Sequence, residues 1–187
     1  MLGYDTNNIN PSHKLKLLFM MNKALRSAWE EFQYMISQID NQDNGITIFK
    51  CIQTWYLDNK KLLSPRLIEE YGLEELINID TAYYPLEKSE CTSEEIKRFL
   101  KLQPSSEECM IVWLRDILWE LVVLSVDIEC KNCGKLEMSA LFNIKTENVF
   151  FECTQCGWVK TIDGYSDESI KTIRLATNQD LKIAGLI

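Results

Sequence analysis

The motif Cys-x-x-Cys-Gly occurs twice in this chain, at residues 130–134 and 153–157, and these two segments are named the cysteine hooks. Two residues between paired cysteines let both sulfurs face one centre, and the nineteen residues between the inner cysteines can bring the hooks together. Four thiolates satisfy the tetrahedral coordination of Zn²⁺. The glycine of each hook can take the positive φ that curls the backbone beneath an ion. We therefore expect one metal site with four ligands: Cys130, Cys133, Cys153 and Cys156.

Composition and the remaining cysteines favour a globular protein of a reducing compartment. The 187 residues are 46% hydrophobic and 26% charged, which is enough apolar material for one good core. Cys51, Cys91 and Cys109 are an odd, scattered remainder, so we expect buried apolar fillers rather than a disulfide framework. The first residues lack a basic leader and an apolar run, and charged residues interrupt the most apolar stretch, residues 110–126. We expect a cytoplasmic protein without a membrane segment.

Hydrophobic periodicity predicts helices over the first two thirds of the chain. A long amphipathic helix is expected after the cap Ser12, with apolar residues recurring at three- and four-residue steps up to Ile39 and turn residues over 40–45. Further helices are expected over residues 46–57, from Ser64 to a break at Gly72, and over residues 73–79, 92–102 and 110–124. Capping-box pairs open the last two: Thr92 with Glu95, and Ser105 with Glu108.

After residue 126 the pattern changes to short strands. Residues 136–142 partly alternate, with Leu136, Met138, Ala140 and Phe142 on one side, and residues 149–151 and 158–162 supply two more segments. With the two cysteine hooks, residues 128–163 resemble a zinc ribbon, in which knuckles at the ends of hairpins share one metal. The resemblance covers about a fifth of the chain and implies a fold element rather than an activity.

These patterns predict a mainly α fold with a small β element, in which a bundle of five or six helices carries a C-terminal zinc ribbon (α+β). Residues 1–126 are expected to form the helical domain, and residues 127–165 the ribbon packed on it. Residues 166–187 are expected to be a tail that docks onto the domain, with a helix around Ile170 and Ile173.

Catalytic chemistry has little support in the sequence. Four cysteines fill the coordination of a zinc ion, whereas a catalytic ion keeps a position for water or substrate, so we expect structural zinc. Redox thiols are the less favoured alternative, because the hooks are matched and no βαβ pattern surrounds them. His13 is the one histidine, and no glycine-rich phosphate loop occurs. Asp116 and Glu120, four residues apart on the central helix, could form an acid/base couple or a solvated strip.

Acidic residues are concentrated in the middle of the chain. The formal net charge is −8, and residues 66–108 carry eleven acidic against five basic side chains. Glutamate doublets there form either a solubilising surface or a docking face for a basic protein, whose capture charge steering would accelerate. The candidate partner-binding residues are Glu69, Glu70, Glu74, Glu75, Glu94 and Glu95.

We therefore expect a non-catalytic, acidic, zinc-binding protein that acts by binding another protein, such as an inhibitory or regulatory subunit or a toxin-immunity-type protein. A nucleic-acid- or transcription-associated zinc-ribbon factor is the first alternative, and it needs folding to gather basic residues such as Lys131, Lys135 and Lys160. Trp158 could stack on a base in that case, although packing inside the ribbon is the expected role. An enzyme using Asp116 and Glu120 is the second alternative, and zinc versus iron stays open.

Overall fold

A computed structural model describes residues 22–40, 45–89, 96–98, 100–162, 164 and 172–187. The described chain combines helices with a small antiparallel sheet, so the fold class is α+β. No helix in these ranges is both long and apolar enough to cross a membrane. Features predicted elsewhere lie outside the described residues: Ser12, His13, Cys91, Thr92, Glu94, Glu95 and Ile170.

The helices occupy most of the described chain before residue 123. They are α1 (Lys23–Ser37), α2 (Gly45–Asn59), α3 (Pro65–Glu70), α4 (Leu73–Ile77) and α5 (Glu107–Val122), with α6 (Asn178–Ile183) near the C-terminus. Residues 96–98 are also helical. Single 3₁₀ turns lie at Lys60–Leu62, Thr81–Tyr83 and Leu86–Lys88.

The first described helix begins later than the sequence predicts. Asn22 has an extended backbone (φ −67°, ψ 162°), and its side-chain oxygen accepts a 2.8 Å hydrogen bond from the Leu25 backbone N–H. This is an N-cap, so the apolar periodicity does not continue through Asn22 as one helix, and that prediction is wrong. The apolar stripe expected within α1 is present, because one face is buried: Leu25, Ala28, Trp29, Phe32 and Ile36.

Aromatic side chains join α1 and α2 at the centre of the bundle. The Phe32 and Trp55 rings lie 5.0 Å apart, and Trp29 lies 6.4 Å from Trp55 and 6.0 Å from Trp113 of α5. The Trp55 indole N–H donates a 2.7 Å hydrogen bond to the Ala28 carbonyl, so the polar atom of this ring is satisfied in the core. The three helices therefore share one aromatic cluster.

Gly45 is the first residue of α2, and it is buried. The sequence predicts turn chemistry for residues 40–45, but at Gly45 the requirement is close packing. A Cβ atom on Gly45 would overlap the Leu86 carbonyl oxygen, so glycine lets the Leu86–Lys88 turn lie directly on the helix.

The caps of α3, α4 and α5 follow the sequence with one change. Gly72 separates α3 from α4 with a φ of 61°, which confirms the predicted break. The cap of α5 is Ser106 rather than Ser105, and its hydroxyl accepts a 3.1 Å hydrogen bond from the Cys109 N–H. This register frees the first-turn glutamates for tertiary contacts: Glu107 accepts from the Ser64 backbone N–H, and Glu108 from the Tyr71 hydroxyl.

In the part of the chain that the structure describes, five strands form one antiparallel sheet. They are β1 (Ser125–Val126), β2 (Met138–Asn143), β3 (Asn148–Glu152), β4 (Val159–Thr161) and β5 (Ile173–Leu175). The hydrogen-bonded order is β1-β2-β3-β4. β5 also pairs with β2, along residues 141–143 at the C-terminal end of β2. Ile173 therefore lies in a strand rather than the expected tail helix. Leu136 precedes β2 and is 69% exposed, so its expected place on the apolar side is wrong as well.

The two faces of the sheet pack against different parts of the chain. On β2 and β3, Leu141 and Phe150 are directly opposite each other and belong to the main core with the helices. The alternating residues face the other way and form a second core. Its buried members are Cys130, Met138, Ala140, Val149, Phe151, Cys153, Ala176 and Leu181.

The C-terminal residues cover the second core. Thr177 and Asp180 form a capping box at the start of α6, and Leu181 is fully buried. Leu186 packs partly against the second core, whereas Ile183 is 80% exposed. The sheet therefore lies between the helical bundle on one face and α6 on the other.

Candidate metal centre

The four predicted cysteine ligands come together at one end of the β2–β3 hairpin. Their sulfur atoms all lie within 4.8 Å of one another, with Cys130 and Cys156 3.6 Å apart and Cys133 and Cys153 3.5 Å apart. These separations exceed the S–S bond of about 2.05 Å, so the cysteines are thiols. A regular tetrahedron with metal–sulfur bonds of about 2.3 Å places sulfurs about 3.8 Å apart. The group can therefore hold one metal ion.

The backbone of the two hooks is matched. The Gly134 N–H donates a 2.8 Å hydrogen bond to the Cys130 carbonyl, and the Gly157 N–H donates one of the same length to the Cys153 carbonyl. Both glycines have positive φ, 75° and 69°, as the motif predicts. Each hook is closed by a further bond from the first cysteine's N–H, to the Lys135 or Trp158 carbonyl. Equivalent local geometry presents two sulfurs from each hook to the same point.

The centre is buried on one side and open on the other. Cys130 and Cys153 are 1% exposed and belong to the second core, whereas Cys133 and Cys156 are exposed. The inner pair is held by packing, and the outer pair lies where a metal ion can enter. Among the described residues, these four cysteines form the group of His, Cys, Asp or Glu side chains whose ligand atoms lie close enough together to hold one ion.

The outer thiols have different pKa values. The Asn132 side chain and the Trp158 backbone N–H donate to the Cys156 sulfur and lower the pKa of Cys156 to about 6. At Cys133 the Lys135 backbone N–H lowers the pKa, but burial and the neighbouring cysteine sulfurs outweigh it and raise the pKa to about 12. Cys156 is therefore a ready thiolate at neutral pH, whereas an arriving metal has to displace the proton of Cys133.

The cysteines outside the hooks are less buried than the sequence predicts. Cys51 on α2 and Cys109 on α5 are both half-buried rather than enclosed in the core. Burial raises the pKa of the Cys51 thiol, which keeps it protonated and unreactive at neutral pH. Neither residue lies with the four-cysteine group.

Asp116 and Glu120, the predicted acid/base candidates, line a cleft between α5 and the sheet. Its volume is about 530 Å³. Asp116 accepts two hydrogen bonds from the guanidinium of Arg115, so its charge is compensated within the helix. Glu152 of β3 also lines the cleft, and burial raises the pKa of its carboxyl. The other lining residues are Trp119, Ser139, Cys153, Thr154 and Gly157.

Sequence reasoning missed Ser139 and Glu152 as members of this cleft. They are directly opposite each other on β2 and β3, so they share the face that carries Leu141 and Phe150. The available signal was that Ser139 is the polar residue within the apolar run of residues 138–142. Recognising it required the pairing register, which the strand pattern alone does not define.

The glutamate doublets lie on two sides of α3 and α4. Glu69, Glu74 and Glu75 line a second groove of about 550 Å³, together with Lys60, which forms an ion pair with Glu74. Glu70 lies 3.6 Å from Arg66 one turn earlier on α3. The structure therefore gathers three of the predicted partner-binding residues around one groove, and Glu94 and Glu95 lie outside the described residues.

The basic and aromatic residues of the hook region are engaged locally. Lys135 donates a 2.9 Å hydrogen bond to the Thr154 hydroxyl and lies 3.9 Å from Glu137. Trp158 is partly buried against the second core, which confirms its predicted packing role.

Comparison with known proteins identifies no family for this chain. No protein-family model, no curated protein and no solved structure matches the chain. The four-cysteine centre is consistent with a zinc-ribbon-like element on the evidence of its own sequence spacing and sulfur positions.

Proposed function

We propose that this chain is a non-catalytic protein that binds a basic protein partner through its acidic surface, on a scaffold held by structural zinc. An inhibitory or regulatory subunit, including one that neutralises a toxin enzyme, fits this description. The observation that supports it most is the groove between α3 and α4. Three carboxylates and one ammonium line it: Glu69, Glu74, Glu75 and Lys60.

The charge around this groove suits a basic partner. Residues 66–108 carry six more acidic than basic side chains, and the whole chain has a net charge of −8. Lys60 compensates Glu74, while Glu69 and Glu75 are exposed carboxylates on the same groove. Such a surface accelerates the encounter with a positively charged protein, and the acceleration falls as salt screens the charges.

Zinc is the metal that the site favours in this proposal. Four thiolate ligands in a tetrahedral arrangement are typical of structural zinc and leave no coordination position for water or substrate. Iron accepts the same ligand set, so elemental analysis of the protein purified from cells distinguishes the two metals. With the ion enclosed by sulfur, the exterior of the protein performs the binding.

The test compares two variants that change the charge equally. Glu69→Lys with Glu75→Lys reverses two charges at the groove, and Glu30→Lys with Glu31→Lys reverses two exposed charges on α1. Each zinc-loaded, tagged protein is used to capture partners at about 50 mM and 500 mM salt. We expect the wild type and the α1 variant to retain the same basic protein at low salt, and the groove variant to lose it.

Two results contradict this function. The first is equal retention by all three proteins, because binding would then not use the groove. The second is the absence of a protein partner together with a gel shift of DNA or RNA that weakens steeply with salt, which would favour the nucleic-acid alternative. Lys135 is already engaged by Thr154 and approaches Glu137, so that alternative would depend on other basic residues.

A further inference from the structure

The cleft between α5 and the sheet, named the interlayer cleft, holds a polar pair at the edge of an apolar contact. Along the inner face of the sheet, Leu141 and Phe150 pack into the main core. The next directly opposed pair on that face is Ser139 and Glu152. Both line the interlayer cleft, where the packing of sheet on helix stops and a space of about 530 Å³ opens.

Ser139 is a buried residue that lines the cleft. The residue is only 3% exposed, and among the described residues no side-chain hydrogen bond to it occurs. A serine hydroxyl both donates and accepts, so at the wall of a cleft it bonds to whatever occupies the cleft, water or ligand. Because Ser139 lines the cleft, the atom that satisfies it can come from a ligand.

Glu152 places a carboxylate beside that hydroxyl. It is half-buried, and within the described chain no ion pair or side-chain hydrogen bond compensates it. Among the described lining residues Arg115 carries the guanidinium, and it bonds to Asp116 rather than to Glu152. With Asp116 matched by Arg115, the Glu152 carboxylate gives the described lining a negative charge that a positively charged ligand would complement.

The spacing of the carboxylates favours an organic cation over a metal ion. Within the described ranges, the four cysteines are the group whose ligand atoms converge closely enough for an ion, and Asp116, Glu120 and Glu152 do not form such a group. A guanidinium or ammonium accepts more widely spaced oxygen partners, because its N–H groups point in several directions. Trp119 adds an aromatic wall of the kind that cations contact by cation–π attraction.

We propose that the interlayer cleft binds a guanidinium or alkylammonium group, with Glu152 and Ser139 as its hydrogen-bond acceptors and Trp119 as its aromatic contact. The proposal rests on the proposed function in one respect, since a basic protein partner would supply this group as an arginine or lysine side chain. A free amine would supply the same chemistry. The binding of the cation itself can be measured without any partner.

The test uses the full, zinc-loaded chain labelled with ¹⁵N and follows backbone amide shifts during titration. One titration adds agmatine, a small molecule that carries a guanidinium and an amine. The other adds a short peptide with blocked termini, whose one charged residue is a central arginine. Sodium chloride matched for ionic strength is the reference. We expect saturable shifts at Ser139, Thr154 and Gly157, which line the cleft. Stronger binding of the peptide identifies a protein side chain as the source, and stronger binding of agmatine a small molecule.

Two substitutions and one matched control decide whether the cleft is the site. Glu152→Gln should weaken binding by about tenfold or more, and Ser139→Ala by about threefold, because each removes one acceptor. Glu69→Gln removes one charge at the other groove and should leave the affinity unchanged. Zinc content and melting temperature equal to wild type show that the variants are folded.

The proposal is overturned by shifts that do not saturate, by shifts away from the cleft, or by equal affinities for wild type and Glu152→Gln. These results are independent of the pull-down with the groove variants. If the cleft fails to bind cations but the groove captures a basic protein, only the cation-binding inference is contradicted. If the cleft binds cations but no protein partner is captured, only the proposed function is contradicted.

Discussion

At the residue scale, the C-terminus is held by one arginine and one aspartate. The Arg174 guanidinium donates to both carboxylate oxygens of Asp180, at 2.6 and 3.0 Å, and lies 3.8 Å from the centre of the Phe142 ring. Thr177 completes the arrangement, because its backbone N–H and hydroxyl both donate to the same carboxylate. Asp180 thus joins β5 to α6 while capping the helix.

Replacing Asp180 with Asn should lower the free energy of unfolding by about 1–2 kcal/mol at pH 7, because it weakens the capping box and removes a bidentate ion pair. Urea unfolding of the two proteins measures the difference. Asp127→Asn makes the same chemical change at an exposed position and should change stability little. Equal losses in both variants would show that the anchor contributes nothing beyond net charge.

The same anchor has a defined pH dependence. Burial raises the pKa of Asp180, but the hydrogen bonds from Arg174 and Thr177 outweigh it and hold the pKa at about 2. The unfolded carboxyl has a pKa of about 3.9, so the folded state binds fewer protons between these values. The stability difference between wild type and Asp180→Asn should therefore be complete above about pH 4 and shrink as pH falls towards 2.

What could be predicted at this scale depended on whether the signal is local. The four cysteines were identified because each pair encodes its own geometry over five residues. Ser139 and Glu152 could not be, because they become neighbours only through a pairing register. Ser105 and Ser106 are both good caps by residue type, and with Ser106 as the cap Glu107 and Glu108 bond to Ser64 and Tyr71, which lie far away in the sequence.

At the element scale, the sequence predicted the longer helices and the strands β2, β3 and β4, but not β1 or β5. α2 and α5 carry apolar runs long enough to show their period, and the break at Gly72 is explicit. β1 and β5 contain two and three residues, so neither has a period to detect. Their pairing with β2 is a tertiary effect that overrides weak local preference. The tail was therefore misread around Ile173.

The cysteine hooks should stabilise the protein through the metal. Cys133→Ser removes one ligand at an exposed position, so it leaves no cavity, and any loss of stability reports the metal site. We expect bound zinc to fall well below one ion per chain, and stability to fall by several kcal/mol, on the order of 10 °C in melting temperature. Elemental analysis and thermal unfolding measure both quantities.

Cys109→Ser is the matched control, since it makes the same substitution at a half-buried cysteine outside the centre. It should retain zinc and lose little stability. If zinc-free Cys133→Ser melts at the same temperature as the wild type, a structural role for the metal is refuted.

At the scale of the whole molecule, the sheet connects the four-cysteine centre to the helical bundle. One face of β2 and β3 contributes Leu141 and Phe150 to the main core, and the other contributes Met138 and Phe151 to the core that contains Cys130. The sequence predicted a helical part and a ribbon, but not that one thin sheet would belong to both cores. The division into residues 1–126, 127–165 and 166–187 stays a prediction.

This arrangement predicts how far the loss of metal should spread. The hooks flank the open end of the β2–β3 hairpin, so a chelator should release that end first and then weaken the contacts of α6. Hydrogen exchange should quicken by about tenfold or more at the amides of Ala140 and Phe151, and less at those of α1, whose aromatic contacts lie with α2 and α5. Adding zinc back should restore protection. Unchanged exchange in β2 and β3 would mean that the metal is not coupled to the sheet. Equal acceleration in α1 would mean that both cores unfold as one unit, although the two faces of the sheet pack in separate cores.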